Sequence, residues 1–242
     1  MIWVDDVRFL LGDKLERKEF VIDKSGSRMI ELRGESFMCT EPSIFGLVNQ
    51  DYVQRELEWY VSQSLNVNTI PGGPPAIWKQ VATASGWVNS NYGWCVWSVD
   101  NGEQYSRVRD ELRANPYSRR AVMIYNRPSM HLDYSRDGMS DFMCTNAVQY
   151  MVREGALSAY VQMRSNDAVF GYKNDYAWQK YVLGMLAADL GISAGQVYWN
   201  AGSLHVYERH FYLVDYFNQD GSEFAISKDE YSRAYPESEW AR

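Results

Sequence analysis

An α+β fold is predicted on three grounds. Helix-period and strand-period segments mix along the chain without the strict strand–helix–strand alternation of a parallel-sheet protein. Two regions carry hairpin signals, one around DKSGS and one around Glu154-Gly155. Composition is that of an ordinary packed protein, 46% hydrophobic and 23% charged over 242 residues, which suits a single domain spanning 1–242.

The elements follow in order. Residues 18–40 (KEFVIDKSGSRMIELRGESFMCT) set β-rich runs on either side of the turn-rich DKSGS. From Asn49 to Ser64, Tyr52, Val53, Leu57, Tyr60 and Val61 recur at helical spacing, and the segment ends in the loop IPGGPP. Apolar sequence resumes at once with IW at 77–78, so the loop is not a domain linker. EQYSRVRDELRA (103–114) reads as a short amphipathic helix stopped by Asn115-Pro116, and AVMIY as a short strand after Arg119-Arg120. NAVQYMVREGALSAYVQM (146–163) reads as a hairpin that brings Cys144 to one end and Arg164 to the other. Trp178, Tyr181, Val182, Met185, Leu186 and Leu190 keep the spacing of a buried helix closing at Gly191. QVYWN and SLHVY are expected as two strands separated by Ala201-Gly202. The tail SKDEYSRAYPESEWAR is polar and is expected on the surface or over a site entrance.

Bulk properties exclude several function classes. No stretch approaches the roughly 18 consecutive apolar residues of a membrane span, and the N-terminus lacks the layout of a signal peptide, so a cytoplasmic protein is expected. Three widely spaced cysteines argue against a disulfide framework and for a reducing compartment. A net charge of −7 makes duplex nucleic acid an unsuitable partner, while a small anion held by local arginines stays possible. Three histidines without a carboxylate array, and no Cys-x-x-Cys, give no metal-ligand spacing.

Several residues could carry chemistry, each with a bland alternative. Cys144 in SDFMCTN is either a buried structural thiol or, given its Asp, Thr and Asn neighbours, a thiol at a polar mouth. As a nucleophile it must ionise, which a nearby guanidinium favours, and Arg164 is nearest if the hairpin pairs its ends. Cys39 and Cys95 have apolar neighbours and read as core. Arg119-Arg120 and Arg164-Ser165 are either surface ion pairs or forks for a phosphomonoester, since guanidinium geometry matches phosphate oxygens. Glu56 in RELEW is either a helix-surface charge, as Glu58 reads, or a partly buried carboxylate suited to proton transfer. His205 and Tyr207 alternate along a strand and share a face, filling a core or lining a site. RSNDAVFGYKNDYAW (164–178) concentrates Asp167 and Asp175 with Arg164, Asn166 and Asn174, as a surface loop or a pocket lining.

The order of the motifs adds a second kind of information. RELEW, IW, NSNYG, SRR, CTNAVQY, RSNDAVFGYKND and GSLHVYERH follow one another over about residues 18–215 as the motifs of the thymidylate synthase family do. The chain most resembles that family's deoxycytidylate hydroxymethylases of tailed phages, on SDFMCTN, MRSNDAVFGYKNDYAWQKYVL and GSLHVYERHFYLVD. The resemblance implies a sandwich with a large mixed sheet packed with helices, forming a homodimer through back-to-back sheets. It makes Cys144 the nucleophile and matches Gln149 to the glutamine of the same motif. Glu56 matches the glutamate that organises water and proton transfer. Arg164 and Ser165 match phosphate ligands of one subunit, and Arg119 and Arg120 match those supplied by its partner. Lys24 stands where the synthases usually have a phosphate-binding arginine, and provides a point charge instead of a fork. His205 and Tyr207 match the pair on the deoxyribose hydroxyl, Asp167 the aspartate near the pterin, and Trp78 and Tyr92 residues around folate and nucleophile.

Two departures set the expected substrate. Thr145 follows Cys144 where the synthases have histidine, and Lys173-Asn174-Asp175 replaces their Pro-Phe-Asn. Asp175 therefore takes the place of the asparagine that selects uracil. A uracil edge offers an acceptor oxygen and a ring N–H, which an amide complements; cytosine offers an amino donor and a ring nitrogen, which a carboxyl group complements. The implied reaction joins dCMP and 5,10-methylenetetrahydrofolate as co-substrate, with water completing 5-hydroxymethyl-dCMP. A dCMP methylase, a dUMP enzyme and a non-catalytic nucleotide-binding homologue are the alternatives.

Overall fold

The computed structural model of the chain describes residues 2–241. In chain order the strands and helices are β1 (Ile2–Trp3), α1 (Val4–Glu16), β2 (Val21–Ile22), β3 (Arg28–Met38), α2 (Gln50–Val61), α3 (Ala76–Val81), α4 (Tyr92–Trp97), α5 (Gln104–Ala114), β4 (Val122–Ile124) and α6 (Met130–Asp133). They continue with β5 (Thr145–Arg153), β6 (Ala156–Met163), β7 (Asn166–Asp167), α7 (Gly171–Leu190), β8 (Ser193–Tyr207), α8 (Phe211–Asp220) and α9 (Lys228–Ala234). This is the α+β mixture expected.

The chain folds as two compact units. One comprises residues up to Val48, Ser165–Ala177 and the chain from Tyr198 on; the other comprises Asn49–Arg164 and Trp178–Val197. The strand order is β1-β3-β8-β6-β5-β4, with β2 on β3 and β7 on β8, and β8 runs through both units.

In the first unit β3 pairs antiparallel with β8, from Met29 opposite Tyr207 to Met38 opposite Tyr198. β1 joins β3 and β7 joins β8 in parallel, so the sheet is mixed. DKSGS is the hairpin tip predicted: Asp23 Oδ1 accepts from the backbone N–H of Ser25 and of Ser27, closing the turn between β2 and β3. Helix α1 buries Val4, Val7, Leu11 and Leu15, a helical stripe, against β3 and α8. Arg8 shares that stripe and is buried because every charge is met. Its Nε donates to the Ile44 carbonyl at 2.6 Å and its Nη2 to Glu41 at 2.6 Å and the Ser43 carbonyl at 2.8 Å.

In the second unit β4, β5 and β6 form an antiparallel sheet, and Glu154 and Gly155 both take positive φ in the tight turn between β5 and β6. Val148, Tyr150, Leu157, Ala159 and Val161 fill the covered face of this sheet. Trp59, Tyr60, Tyr92, Tyr125 and Trp178 build an aromatic core in which Trp178 Nε1 donates to the Tyr125 hydroxyl at 3.0 Å. Cys39 in the first unit and Cys95 in the second are buried among apolar side chains, as expected.

Three expectations need correction. The helix ahead of Gly191 starts at Gly171, so Lys173, Asn174 and Asp175 are helical and do not precede the helix. Asp167 causes the early start: its Oδ1 accepts from the Val169 and Phe170 N–H groups at 2.7 and 3.3 Å, turning the chain into α7. Ala201-Gly202 is no break, because β8 is continuous and β3 pairs on both sides of it. The tail is not merely a polar surface segment; α9 buries Tyr231 and the following turn buries Trp240, whose ring meets Phe211 edge-on at 5.1 Å. Polar residues between the two aromatics hide this pattern.

A Cβ on Gly93 would sit 1.7 Å from the Tyr60 carbonyl oxygen, so α4 and α2 can approach only with glycine there. Gly93→Ala is expected to cost about 3 kcal/mol, an overpacking penalty against backbone. Urea unfolding reads this as a lowered midpoint; an unchanged midpoint would contradict the close approach.

Candidate active site

In the second unit the hairpin closes as its turn chemistry predicts and brings Cys144 beside Arg164. The Arg164 N–H donates to the Cys144 carbonyl at 2.9 Å. The Arg164 side chain folds back over residues 142–144: Nε donates to the Met143 carbonyl and Nη2 to the Phe142 carbonyl, both at 2.8 Å. Nη2 also lies 3.7 Å from Cys144 Sγ, a position from which a guanidinium favours a thiolate. Cys144 is half-buried. Thr145, next along, is buried and donates through Oγ1 to the Tyr92 hydroxyl at 3.0 Å.

Asp141, which sequence reasoning passed over, anchors this loop. It is buried and accepts from the Asn89 N–H at 2.7 Å, the Ser90 N–H at 2.8 Å and the Ser90 hydroxyl at 2.8 Å. Burial pushes its carboxyl upward while these donors oppose the shift. Asn91 completes the NSNYG motif: it caps α4 through the Trp94 N–H and donates to the carbonyls of Trp59 and Ser64, each at 2.9 Å. The 89–91 run thus fastens the Cys144 loop and α2 to one element.

Glu56 is 4% exposed on α2, while Glu58 is the solvent-facing member of the motif. Its Oε1 accepts from the Tyr52 hydroxyl at 2.5 Å and from Trp78 Nε1 at 3.0 Å. Burial raises its pKa above the usual carboxylate range, with both donors working the other way. Trp78 is half-buried on α3 and meets Trp59 edge-on at 5.1 Å; the stacked pair Tyr60–Tyr92 then leads back to Thr145. Glu56 is thus linked through these aromatic rings to Thr145, the residue that follows Cys144.

Arg119 and Arg120 are exposed ahead of β4, and Arg120 reaches Glu111 at 3.1 Å. Gln149 donates to the Arg119 carbonyl at 2.8 Å on the open side of the sheet. In the single chain the two arginines are exposed and Gln149 is half-buried.

In the first unit β7 lies beside β8, with Asp167 opposite His205. His205 is buried, its ring 4.9 Å from that of Tyr207, so the alternation does put both on one side. Burial pushes the His205 imidazole below its usual range against the pull of Asp167 and Glu31. Asp167 Oδ2 lies 3.8 Å from the Arg209 guanidinium. Ser165 is half-buried and Lys24 is exposed at the hairpin tip. Asn166, 3% exposed, donates through Nδ2 to Asp175 Oδ2 at 2.7 Å and so holds the carboxylate in place. Its role was invisible in a run where every neighbour is polar. Lys173 is the other surprise: it is 6% exposed, its Nζ donates to the Leu47 carbonyl at 3.0 Å, and it lies over the Phe170 ring.

This chain belongs to the thymidylate synthase family, whose sequence model matches residues 47–220. Its relatives include the deoxycytidylate 5-hydroxymethyltransferase of Enterobacteria phage T4, 56% identical over 239 residues that cover 96% of this chain and 97% of the relative. The proteins of the same name from phages T6 and T2 are each 55% identical over 233 residues, covering 93% of this chain and 95% of theirs.

Lys173 carries a pH signature. Burial pushes its ammonium from the usual 10.5 down to about 8. Below about 8 both folded and unfolded chains hold the proton and the burial cost is fully present. Between that value and 10.5 the unfolded chain binds more protons, so stability rises with pH. Relative to Lys173→Met, the native chain should gain about 1–2 kcal/mol of unfolding free energy between about pH 7.5 and 9.5. Parallel stability–pH curves from urea unfolding would show instead that the amine is solvated.

Proposed function

We propose that this protein transfers the one-carbon unit of 5,10-methylenetetrahydrofolate to carbon 5 of dCMP with addition of water, giving 5-hydroxymethyl-dCMP and tetrahydrofolate. The observation that carries this reading is the carboxylate of Asp175, held by Asn166 at the position where uracil-specific members have an amide. The phage relatives named above support the same substrate over nearly the whole chain.

Cys144 Sγ adds to carbon 6 of the pyrimidine, which makes carbon 5 nucleophilic toward the one-carbon unit. Asp175 accepts from the cytosine amino group and shares a proton with the ring nitrogen. Carbon 5 gives up its hydrogen as tetrahydrofolate departs, leaving an exocyclic methylene; water adds to that methylene, and the bond from Cys144 to carbon 6 breaks to restore the aromatic ring. Glu56 orders that water and moves protons; both donors to it use Oε1, which leaves Oε2 to exchange a proton. Asp167, Trp78 and Tyr92 serve the folate, and His205 and Tyr207 take the deoxyribose hydroxyl. Among the described residues no cluster of His, Cys, Asp and Glu has the makings of a metal site, and no helix is long and apolar enough to cross a membrane. The host cytoplasm of an infecting phage is the setting this chemistry fits.

The phosphate is held by Arg164, Ser165 and Lys24 of one subunit and by Arg119 and Arg120 of a second, with Gln149 nearby. A back-to-back homodimer is supported by the uncovered face of β4, β5 and β6. There Ile124 is 54% exposed, and Gln149, Met151 and Tyr160 are half-buried at the level of the single chain.

Two experiments test the reading. Incubated with methylenetetrahydrofolate, the protein should convert dCMP to a product heavier by CH2O, a hydroxymethyl group in place of the carbon-5 hydrogen, and leave dUMP unchanged. Asp175→Asn should move the dCMP-to-dUMP preference by a factor on the order of 10² or more. A methyl product, or a native preference for dUMP, would overturn the assignment. Mixing inactive Cys144→Ala and Arg120→Ala chains should restore about a quarter of native activity, since about half the dimers are mixed and each then has one intact site. No recovery in verified mixed dimers would sink the shared phosphate site.

A further inference from the structure

The β3–β8 register places Glu31 directly opposite His205 and Ser203 two residues before it on the same face. Ser203 Oγ donates to Glu31 Oε1 at 2.5 Å, and Ser203 Oγ and His205 Nδ1 are 3.2 Å apart. A serine hydroxyl has one hydrogen and two lone pairs. With that hydrogen committed to the carboxylate, the serine oxygen can only accept from the imidazole, and Nδ1 must be the nitrogen that carries a hydrogen. Burial favours the neutral ring, so Nε2 then bears a lone pair. The groups that bear electrostatically on this ring are Glu31, Asp167 and Asp23, all acidic, and the Tyr207 ring meets it edge-on.

We propose that Glu31 and Ser203 are positioning residues that lock His205 in the tautomer with hydrogen on Nδ1, so that Nε2 accepts the hydrogen of the nucleotide's 3′-hydroxyl. This rests on the assignment of His205 to the sugar of dCMP. It adds a direction to that hydrogen bond: the sugar donates and the protein accepts. A nucleotide without the hydroxyl leaves a buried acceptor unmet, and the site should reject it. Neither Glu31 nor Ser203 needs to touch the ligand. The relay also explains why a carboxylate lies on this sheet face beside a histidine that stays neutral.

The full-length protein labelled with ¹⁵N-histidine decides the point by long-range ¹H–¹⁵N correlation near pH 8. Its three histidines are distinguished by the signal lost in His205→Gln. His205 should show the Nδ1–H pattern in the native protein and in Ser203→Thr, which keeps a hydroxyl on a strand. It should change to the Nε2–H pattern in Ser203→Ala. Glu31→Gln should do the same, because the amide can donate to the serine and turn the hydroxyl hydrogen toward Nδ1. In kinetics, Ser203→Ala and Glu31→Gln should raise KM for dCMP about tenfold with kcat within about twofold, the cost of one misdirected hydrogen bond. Both should also shrink the preference for dCMP over 2′,3′-dideoxycytidine monophosphate, and Ser203→Thr should restore it. An Nε2–H signal in the native chain, or an unchanged signal in Ser203→Ala, overturns the relay. If the native protein does not turn over dCMP, the substrate assignment falls while the spectra still judge the relay.

Discussion

In the first unit β3 and β8 pair from Met29 opposite Tyr207 to Met38 opposite Tyr198, and this register decides which polar groups can meet. It sets Glu31 across from His205, and through β7 it sets Asp167 beside the same residue. A slip of one residue would turn every one of these side chains to the opposite face. Buried apolar residues prevent that slip. Ile30, Leu32, Leu204 and Val206 fill the covered face at the alternate positions, so the hydrophobic pattern that makes the strand also aims the polar set. The catalytic-looking polarity thus depends on ordinary core residues.

In the second unit the same work is done by side chains that bind backbone. Asp141 takes two N–H groups of the 89–90 run, Asn91 holds two carbonyls near the end of α2, and Arg164 wraps the carbonyls ahead of Cys144. Loops that carry reactive groups have few ladder hydrogen bonds of their own, and a buried carbonyl or N–H left alone is costly. Each of these polar side chains settles backbone groups while it fixes a position. That double use explains why NSNYG and SDFMCTN are so polar for segments packed this deeply. Gly93 belongs to the same economy of space, since it lets α4 touch the Tyr60 carbonyl and so brings Tyr92 to Thr145.

What could be read in the sequence divides along physical lines. Period and turn chemistry located the β5–β6 hairpin, and with it the meeting of Cys144 and Arg164, because both depend on local signals. Glu56 proved to be the buried member of RELEW, one of the two readings that its neighbours Leu57 and Trp59 left open. Motif order identified the family, which no single residue could. Illegible were features set by the particular partner a polar side chain finds. Asp167 starts α7 early, Asn166 steadies Asp175, and Lys173 is buried against the Leu47 carbonyl. A polar residue looks the same in a string whether it faces water or a buried partner. Ala201-Gly202 misled for a related reason: a small-residue pair resembles a break until the neighbouring strand is known to pair past it.

The two carboxylates singled out for chemistry sit in opposite surroundings, and that contrast bears on how water could finish the reaction. Glu56 is enclosed by Tyr52, Trp78 and the α2 core, and burial raises its proton affinity. Asp175, by contrast, sits half-buried with one oxygen held by an amide donor, a setting that suits steady recognition of an edge. A group that must release and recover a proton in each cycle is best placed near neutrality, while a group that reads a base need only keep its geometry. In the reaction proposed above, this division would give proton movement to Glu56 and discrimination to Asp175. Since both donors to Glu56 come from rigid aromatic side chains and converge on Oε1, the proton is confined to Oε2. In the proposed reaction a water taken up by Glu56 would therefore meet Oε2, and that single oxygen would set the side from which it reaches the exocyclic methylene.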